Sequence, residues 1–496
     1  SVEADAGSRI QGNGQLGPTR MAGTIAPGNS IGTLTVAGDY VQLPGSTYEA
    51  ELGPAGTSDL LQVNGRASLQ GGTLRPTLLG ATAMLGQNYR VLNASGGVEG
   101  RFATVDGSLP TPFLSFAARY AASTIDVAIA RGLPLVSAAI TRNQRSIAAA
   151  ADATPDANLL PQRLTSLAPA QLPAALDALG GELHASARAL LLQDTQLLRD
   201  AALTRARNGQ DAFTAQSLSE GRRGAWADVQ QSERRTDDNG NASSARLSAD
   251  SLLVGYDHRL QSGWQLGVLG GGGKGSLRVR EGQDRARVRS RHAGLHLGRR
   301  WGALGLRMGA GYSWQDLRTQ RSTAIAGQPD PRARYDADTA QWFAELGYRV
   351  DGTRGGIEPF VQYTGLRLSS DAAQEAGRAQ ALSIASAQQT ISLWSGGLRF
   401  NLDLAARDQP QRWLSLRGSV AYQQADGDLT PAARMQWQDG PAFTVWGVPL
   451  ARLSSVATLG VAARLSRSSL LTFDWRGAFA RRGRDTGIGV HYSLRF

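Results

Sequence analysis

The sequence predicts an all-β chain with a central helix: a β-solenoid-like N-terminal end, then a 12-stranded antiparallel transmembrane β-barrel with an α-helix in its lumen. Three observations carry this expectation. From Gly224 to the last residue, apolar and polar side chains alternate with period 2, and arginine and aspartate fall on the polar phase. Residues 1–130 are short β-rich runs broken by Gly, Pro, Asn and Asp, without a convincing amphipathic helix. Between these regions Glu182–Asn208 has apolar residues at helical spacing.

Composition bounds the reading. The chain has 496 residues, a net charge of +11 and no Cys, which excludes a disulfide scaffold and thiolate metal sites. The mean hydropathy of −0.26 and the lack of a long apolar run exclude a helical membrane protein but not a membrane barrel. The positive charge could suggest nucleic acid, yet residues 1–130 carry 7 basic and 9 acidic side chains. The excess lies after residue 130, spread rather than bunched, so no nucleic-acid partner is expected. The chain begins Ser-Val-Glu, which reads as a fragment or processed product.

In residues 1–130, strands are expected at Thr33–Val36, Thr47–Leu52, Leu60–Val63, Ala67–Leu69, 73–79, 89–92 and 124–130. This pattern alone fits a β-solenoid or a β-sandwich, and the spacing is too irregular for a strict repeat. Gly28-Asn29-Ser30-Ile31-Gly32 matches the G-x-S-x-G nucleophile elbow. The elbow needs a strand before the Ser and a helix after it, with His and acid partners. Here Pro27-Gly28 precedes, a strand follows, and the first His is His184, so the motif is read as a turn.

Residues 131–181 read as a linker with short helices: an Ala-rich weak helix over 133–151, then pieces separated by Pro155, Pro161, Pro169 and Pro173, with a short helix at Leu172–Leu179. The pore-spanning segment is placed at 182–210. It would be about 40 Å long. Leu183, Leu190, Leu191, Leu197 and Leu198 form an apolar stripe, Arg188 and Arg199 fall off it, and Arg205 lies near the C-terminal end, where the helix dipole favours cations. Gly180-Gly181 precedes the helix and Asn208-Gly209 would cap it. A lone His184 reads as structural.

The barrel is placed at 221–496, with twelve strands. Leu304, Leu306, Met308, Ala310, Tyr312 and Trp314 alternate with Gly305, Arg307, Gly309, Gly311 and Ser313. Arg307, Arg417, Asp474, Arg476 and Arg495 on the non-apolar phase predict a polar lumen, whereas a water-soluble barrel would reverse the sense. Short turns at 261–262 and 302–303 are expected in the periplasm. Longer polar connections at 237–245, 323–336, 370–387 and 426–443 are expected outside. Gly270–Gly273 before Lys274 lacks phosphate-loop spacing and reads as a thin stretch of barrel wall. For Arg285, Arg287, Arg289 and Arg291 an ordinary solvated face is the first reading; lipid headgroup or polysaccharide phosphates stand ahead of nucleic acid as counter-charges.

Gly23-Thr24-Ile25-Ala26-Pro27-Gly28-Asn29-Ser30-Ile31-Gly32-Thr33-Leu34-Thr35-Val36, with Gly38-Asp39-Tyr40 and Ser58-Asp59-Leu60-Leu61-Gln62-Val63, resembles the segment near the end of classical monomeric autotransporter passengers. Leu172 through Ser186 resembles the junction upstream of their barrels. The ending, with Tyr492, Leu494 and Phe496 at alternate positions, resembles the signal read by the outer-membrane assembly machinery. The resemblance covers nearly the whole chain. It implies the last coils of a right-handed parallel β-helix with an autochaperone role, a helix plugging the pore, and a translocator that exports its own passenger to the cell surface. The implied partners are outer-membrane lipid and lipopolysaccharide, the barrel-assembly machinery with periplasmic chaperones, and the passenger itself; the chain would act as a monomer, without cofactor, metal or catalytic residues. Some members cut their passenger at an Asn inside the pore helix; Glu182–Arg207 contains no Asn, so cleavage in the lumen by that chemistry is not expected. Two other readings stand beside it: a porin or adhesin-type barrel, and the non-catalytic part of a surface protease or esterase.

Overall fold

The computed structural model describes residues 1–208, 223–280, 283–323, 329–377, 379–404, 414–466 and 468–496. The chain divides into two compact units, residues 1–140 with 148–176 and 439–441, and residues 141–147 with 177–438 and 442–496.

The first unit is a three-faced parallel solenoid. Each turn of the chain contributes one short strand to each of three sheets. On one face Val2, Thr19, Tyr40, Ala67 and Val98 stand in register. The turns lengthen steadily along the chain, which is why no fixed repeat is visible in the sequence. Of the solenoid and sandwich alternatives, the solenoid is the one that forms. Alternate residues point inward and build a dry core in which Ile25, Val36, Tyr48, Leu61, Val63 and Leu74 are fully buried. An antiparallel hairpin, Leu114–Tyr120 with Thr124–Arg131, pairs with Asn88–Ala94 on the last turn and covers that sheet edge.

Aspartates brace successive coils. Asp59 accepts the backbone N–H groups of Gly32 and Glu51, both at 2.9 Å. Asp39 accepts the N–H of Arg66 at 2.8 Å. Ser30 lies in the turn between Thr24–Pro27 and Thr33–Val36 with φ +99°. All five histidines of the chain come after residue 181, so the G-x-S-x-G stretch has no base in this unit.

After the solenoid come helices α1 (Arg142–Asp152), α2 (Leu159–Thr165) and α3 (Leu172–Leu179), then the long α4 (Glu182–Asn208). The expected cap at Gly209 and the expected barrel start at Gly221 lie outside the described residues.

The second unit holds the barrel. Its strands are β1 (Arg223–Thr236), β2 (Ala245–Arg259), β3 (Gln265–Val279), β4 (Asp284–Trp301), β5 (Leu304–Gln320) and β6 (Arg332–Tyr348). They continue as β7 (Gly355–Ser370), β8 (Ala387–Asp403), β9 (Leu414–Gly427), β10 (Leu453–Arg464), β11 (Ser469–Ala480) and β12 (Gly483–Arg495). Every neighbour is antiparallel, and β1 pairs with β12 to close the ring, for example Val229 opposite Val490. Closure leaves no open edge, the condition for a sheet to sit in lipid. Outward positions are apolar and exposed: Val229 at 53%, Phe473 at 55% and Ile488 at 61%. Aromatic pairs near the strand ends, such as Trp264 with Trp301 and Tyr256 with Phe496, form the expected girdle.

Connections 237–244, 371–386 and 428–452 lie at one end of the barrel, and turns 260–264, 302–303 and 349–354 at the other. Two expected loops differ from the structure. Stretches 370–387 and 426–443 contribute to a small four-stranded sheet of Ala373–Gln374, Leu382–Ile384, Ala432–Trp437 and Ala442–Trp446. It buries Leu382, Met435, Trp437 and Phe443, an apolar set too short in each run to announce itself. Strand β6 also starts at Arg332, inside the stretch expected as a loop; its outward phase there is Arg332, Arg334 and Asp336, polar rather than lipid-like.

Candidate functional site: the helix in the barrel lumen

Helix α4 contains neither Gly nor Pro and is rich in Leu, Ala and Arg, all strong helix formers. Gly181 precedes it with φ +67°, and a Cβ there would lie 2.6 Å from Leu382 and 2.9 Å from Met435, so both backbone and space require glycine. Glu182 opens the first turn, and its carboxylate accepts the N–H of Ser243 at 2.8 Å. Arg205 and Arg207 close the last turn.

The apolar stripe read from the sequence does not face one partner. Leu183, Leu190 and Leu197 are buried, and so are Arg188, Arg199 and Arg205 off the stripe. Leu192 and Leu203, outside the stripe, are buried too. The cause is enclosure: a closed barrel gives its lumen helix no solvent face.

Within the lumen the helix packs mainly against β2–β5, to one side of the barrel. Inward glycines make the room. A Cβ at Gly275 would lie 2.9 Å from Leu190, and one at Gly311 would lie 2.3 Å from Leu198. Gly273 faces Asp194 in the same way, so this glycine of the decoy phosphate loop is wall thinned for the helix.

Lumen side chains then hold the helix at several levels. Gln315 donates to Leu191 O and to Asp194, both at 3.0 Å. Gln341 donates to Thr195 O at 2.8 Å, Gln230 to Leu197 O at 3.4 Å and Gln265 to Arg205 O at 3.3 Å. Arg205 pairs with Asp257 and reaches His491 at 3.2 Å, with Trp226 beneath its guanidinium. Arg207 reaches Glu345 at 3.0 Å, and Glu345 with Glu358 also binds Arg307 and Arg399. Three guanidiniums thus share two carboxylates in a buried network, the form in which charge is tolerated inside a protein.

Arg417 pairs with Asp474 at 3.0 Å, and Arg476 lies 3.4 Å from Asp200 on the helix. Arg495 sits on the inward phase of β12 opposite Gly224. Between the helix and the far wall a cavity of about 260 Å³ remains, lined by Arg199, Arg207, Arg399, Arg417 and Arg476 among others. Tyr492, Leu494 and Phe496 face outward, away from the lumen, at 40%, 38% and 60% exposure.

Sequence reasoning missed the carboxylates Glu345, Glu358 and Asp257, the cation Arg399, and the glutamines. Inward parity would have flagged them, but only strand register supplies partners: Arg307 lies opposite Glu345, and Glu358 opposite Arg399.

Where the helix begins, a second buried cluster fastens it. His184 Nε2 lies 2.8 Å from Glu375 Oε1, and Arg321 binds both oxygens of Glu375 at 2.7 Å. Arg321 also donates to Ala178 O at 3.0 Å. Burial alone would raise the Glu375 carboxyl, but Arg321 and His184 hold it down to about 2. His184 is therefore a structural residue with a defined partner.

One constellation imitates catalysis. Ser313 Oγ lies 2.8 Å from His292 Nδ1, and Asp194 lies 3.7 Å from His292 Nε2. Ser313 and Asp194 are fully buried and His292 nearly so, which leaves no approach for a scissile carbonyl. The three residues act as a polar staple between helix and wall.

A closed barrel, apolar outside and charged within, with a helix filling its lumen, defines the class of outer-membrane translocators. Residues 225–476, half of the chain, match the family model for the autotransporter β-domain. The chain belongs to the autotransporter family. Two curated relatives, both extracellular serine proteases of Serratia marcescens, are similar: one is 28% identical with 98% of this chain and 51% of its own length covered, the other 27% identical with 95% and 49%. The chain thus spans about half the length of the curated relatives it matches. Among solved structures, the translocator domain of the autotransporter NalP from Neisseria meningitidis shares the fold, with a TM-score of 0.50, 15% identity, and coverage of 64% of this chain and 100% of that one.

Proposed function

We propose that this barrel exports the chain's own N-terminal region to the cell surface, and that α4 is the tether left in the lumen when export is complete. The observation that supports it is the single threading of the lumen. Glu182 bonds to the 237–244 connection at one end, whereas Arg207 reaches Glu345, close to the turns of the other. The two ends of the helix therefore lie at opposite ends of the barrel. Strand β1 starts from the short-turn end, the side facing the periplasm, and the solenoid precedes the helix. Energy for export would come from folding of the solenoid outside, not from a nucleotide.

In this reading the last strand presents Tyr492, Leu494 and Phe496 to the barrel-assembly machinery, after delivery by periplasmic chaperones. The barrel then sits as a monomer in outer-membrane lipid and lipopolysaccharide. Protease shaving of intact cells tests the topology: residues 1–130 should be digested while the barrel is spared, and protection of that segment sinks the proposal. The relatives' names favour a serine protease as the exported cargo. A fluorophosphonate probe applied to material released from producing cells should then label a protein joined to, or cut from, this chain.

A further inference from the structure

The outer wall carries a row of arginines that the export function does not use. Arg484 on β12, Arg235 on β1, Arg246 on β2, Arg278 on β3 and Arg285 on β4 stand directly opposite one another on five consecutive strands. All five are outward and exposed, at the end where the long connections lie. Adjacent strands are about 4.8 Å apart, so five positive charges occupy a line of roughly 19 Å. Like charges directly opposite destabilise a sheet. Protein carboxylates compensate only part of the row: Glu233 serves Arg235 at 3.0 Å and Arg246 at 3.4 Å. Among the described residues, Arg278 and Arg484 form no ion pair.

A second row lies one level closer to the barrel middle. Arg287, Arg318 and Arg334 are in register on β4, β5 and β6, with Asp316 shared by the last two. Below both rows come Lys274, Arg289 and Arg291, also outward, with Asp250 and Asp316 beside them; the wall then turns apolar, with Leu252, Val254, Val268, Leu295 and Trp314 half exposed. The opposite wall lacks this arrangement. Its outward positions at the same end include Ser369, Gln388, Thr390 and Gln424, with Arg367 as a lone cation there among the described residues.

We propose that the arginine row on β12–β4 seats a lipid whose headgroup carries two or more phosphates, its acyl chains lying on the apolar wall below. Several phosphates are needed because one cannot reach along the row, and an acyl region is needed because the basic band that starts at the row runs down through Lys274, Arg289 and Arg291 to a lipid-like surface. The leaflet that supplies the lipid rests on the orientation proposed above; the binding itself does not.

The test uses the full chain folded in neutral maltoside micelles and native mass spectrometry of lipid adducts. The ligands are a bisphosphorylated diglucosamine lipid, phosphatidylcholine and inorganic tripolyphosphate. The wild type should retain the bisphosphorylated lipid and not phosphatidylcholine, with retention falling as salt rises. Arg278→Gln combined with Arg285→Gln and Arg484→Gln should weaken retention at least tenfold, and Arg367→Gln should leave it unchanged. A heat-modifiability gel confirms that each variant is folded. If the triple variant fails to fold, Arg278→Gln alone should lose binding severalfold and Arg278→Lys should keep most of it. Equal retention by folded wild type and glutamine variants overturns the proposal. So does tripolyphosphate binding as tightly as the lipid, which would mark a site for soluble polyphosphate. The shaving experiment on cells fails or succeeds independently and separates a wrong orientation from a wrong site.

Discussion

The solenoid and the barrel use the same backbone alternation in opposite senses. In the solenoid the inward phase is Ile25, Leu34, Leu61 and Val63, and charge lies outside. In the barrel the inward phase is Arg307, Glu345, Gln341 and Asp257, and the apolar side chains point out. Period 2 therefore specifies a two-faced strand but not which face is the interior. The solvent decides: water on the outside turns apolar groups in, and lipid on the outside turns them out. The energetics invert as well. The solenoid is held by burial of apolar area, whereas the lumen is held by pairing of charges largely withdrawn from water.

Removing one anion from the lumen should have the largest effect. Glu345→Gln leaves Arg207, Arg307 and Arg399 with one carboxylate between them and should cost about 3–5 kcal/mol, measured as a drop in the denaturant midpoint of the folded barrel. The matching change in the solenoid is Leu61→Ala, which opens a cavity in a dry core at about 2–5 kcal/mol and should loosen residues 1–130 to protease without changing barrel heat-modifiability. Placing charge on the lipid face should cost somewhat less. Phe473→Arg, near the middle of β11, should destabilise the barrel in vesicles by about 2–4 kcal/mol, and the same change on a lumen position should not follow that depth dependence. The smallest effect is local and titratable. Glu375 titrates at about 2 when folded, against 4.5 for a free glutamate, so its contribution is present above pH 4.5 and fades as pH falls toward 2. Pepsin cleavage around residues 179–184 should rise across that interval in the wild type relative to Glu375→Gln, whose susceptibility should be flat after normalising to a peptide control.

Much of the architecture was legible in sequence, and the reasons differ by region. Barrel strands showed because each runs for a dozen or more residues with strict parity, so twelve could be counted and α4 placed between the two β regions. The shortest solenoid strands, such as Gln15–Leu16 and Tyr40–Gln42, carry too few alternations to register, while the four-residue Thr33–Val36 and Leu60–Val63 do. Of the lumen, Arg307 could be assigned to the inside, but Glu345 could not be assigned to Arg307, since pairing depends on stagger between strands. The surface row of arginines was half visible: the run 285–291 stood out in one strand, whereas Arg235, Arg246, Arg278 and Arg484 are scattered in sequence and meet only through register.

Four lumen glutamines donate to main-chain carbonyls of α4, at Leu191, Thr195, Leu197 and Arg205. Each of these oxygens has a lone pair that its helix does not use, and every residue type carries the same oxygen. Such a hold is indifferent to the letters written on the tether. The segment that stops in the pore can then drift in sequence, or be exchanged along with the cargo it follows, without the wall having to change in step. Side chains of a particular kind are demanded at fewer places: His184 at the head of the helix, Asp194 and Asp200 along it, and Arg205 and Arg207 at its foot.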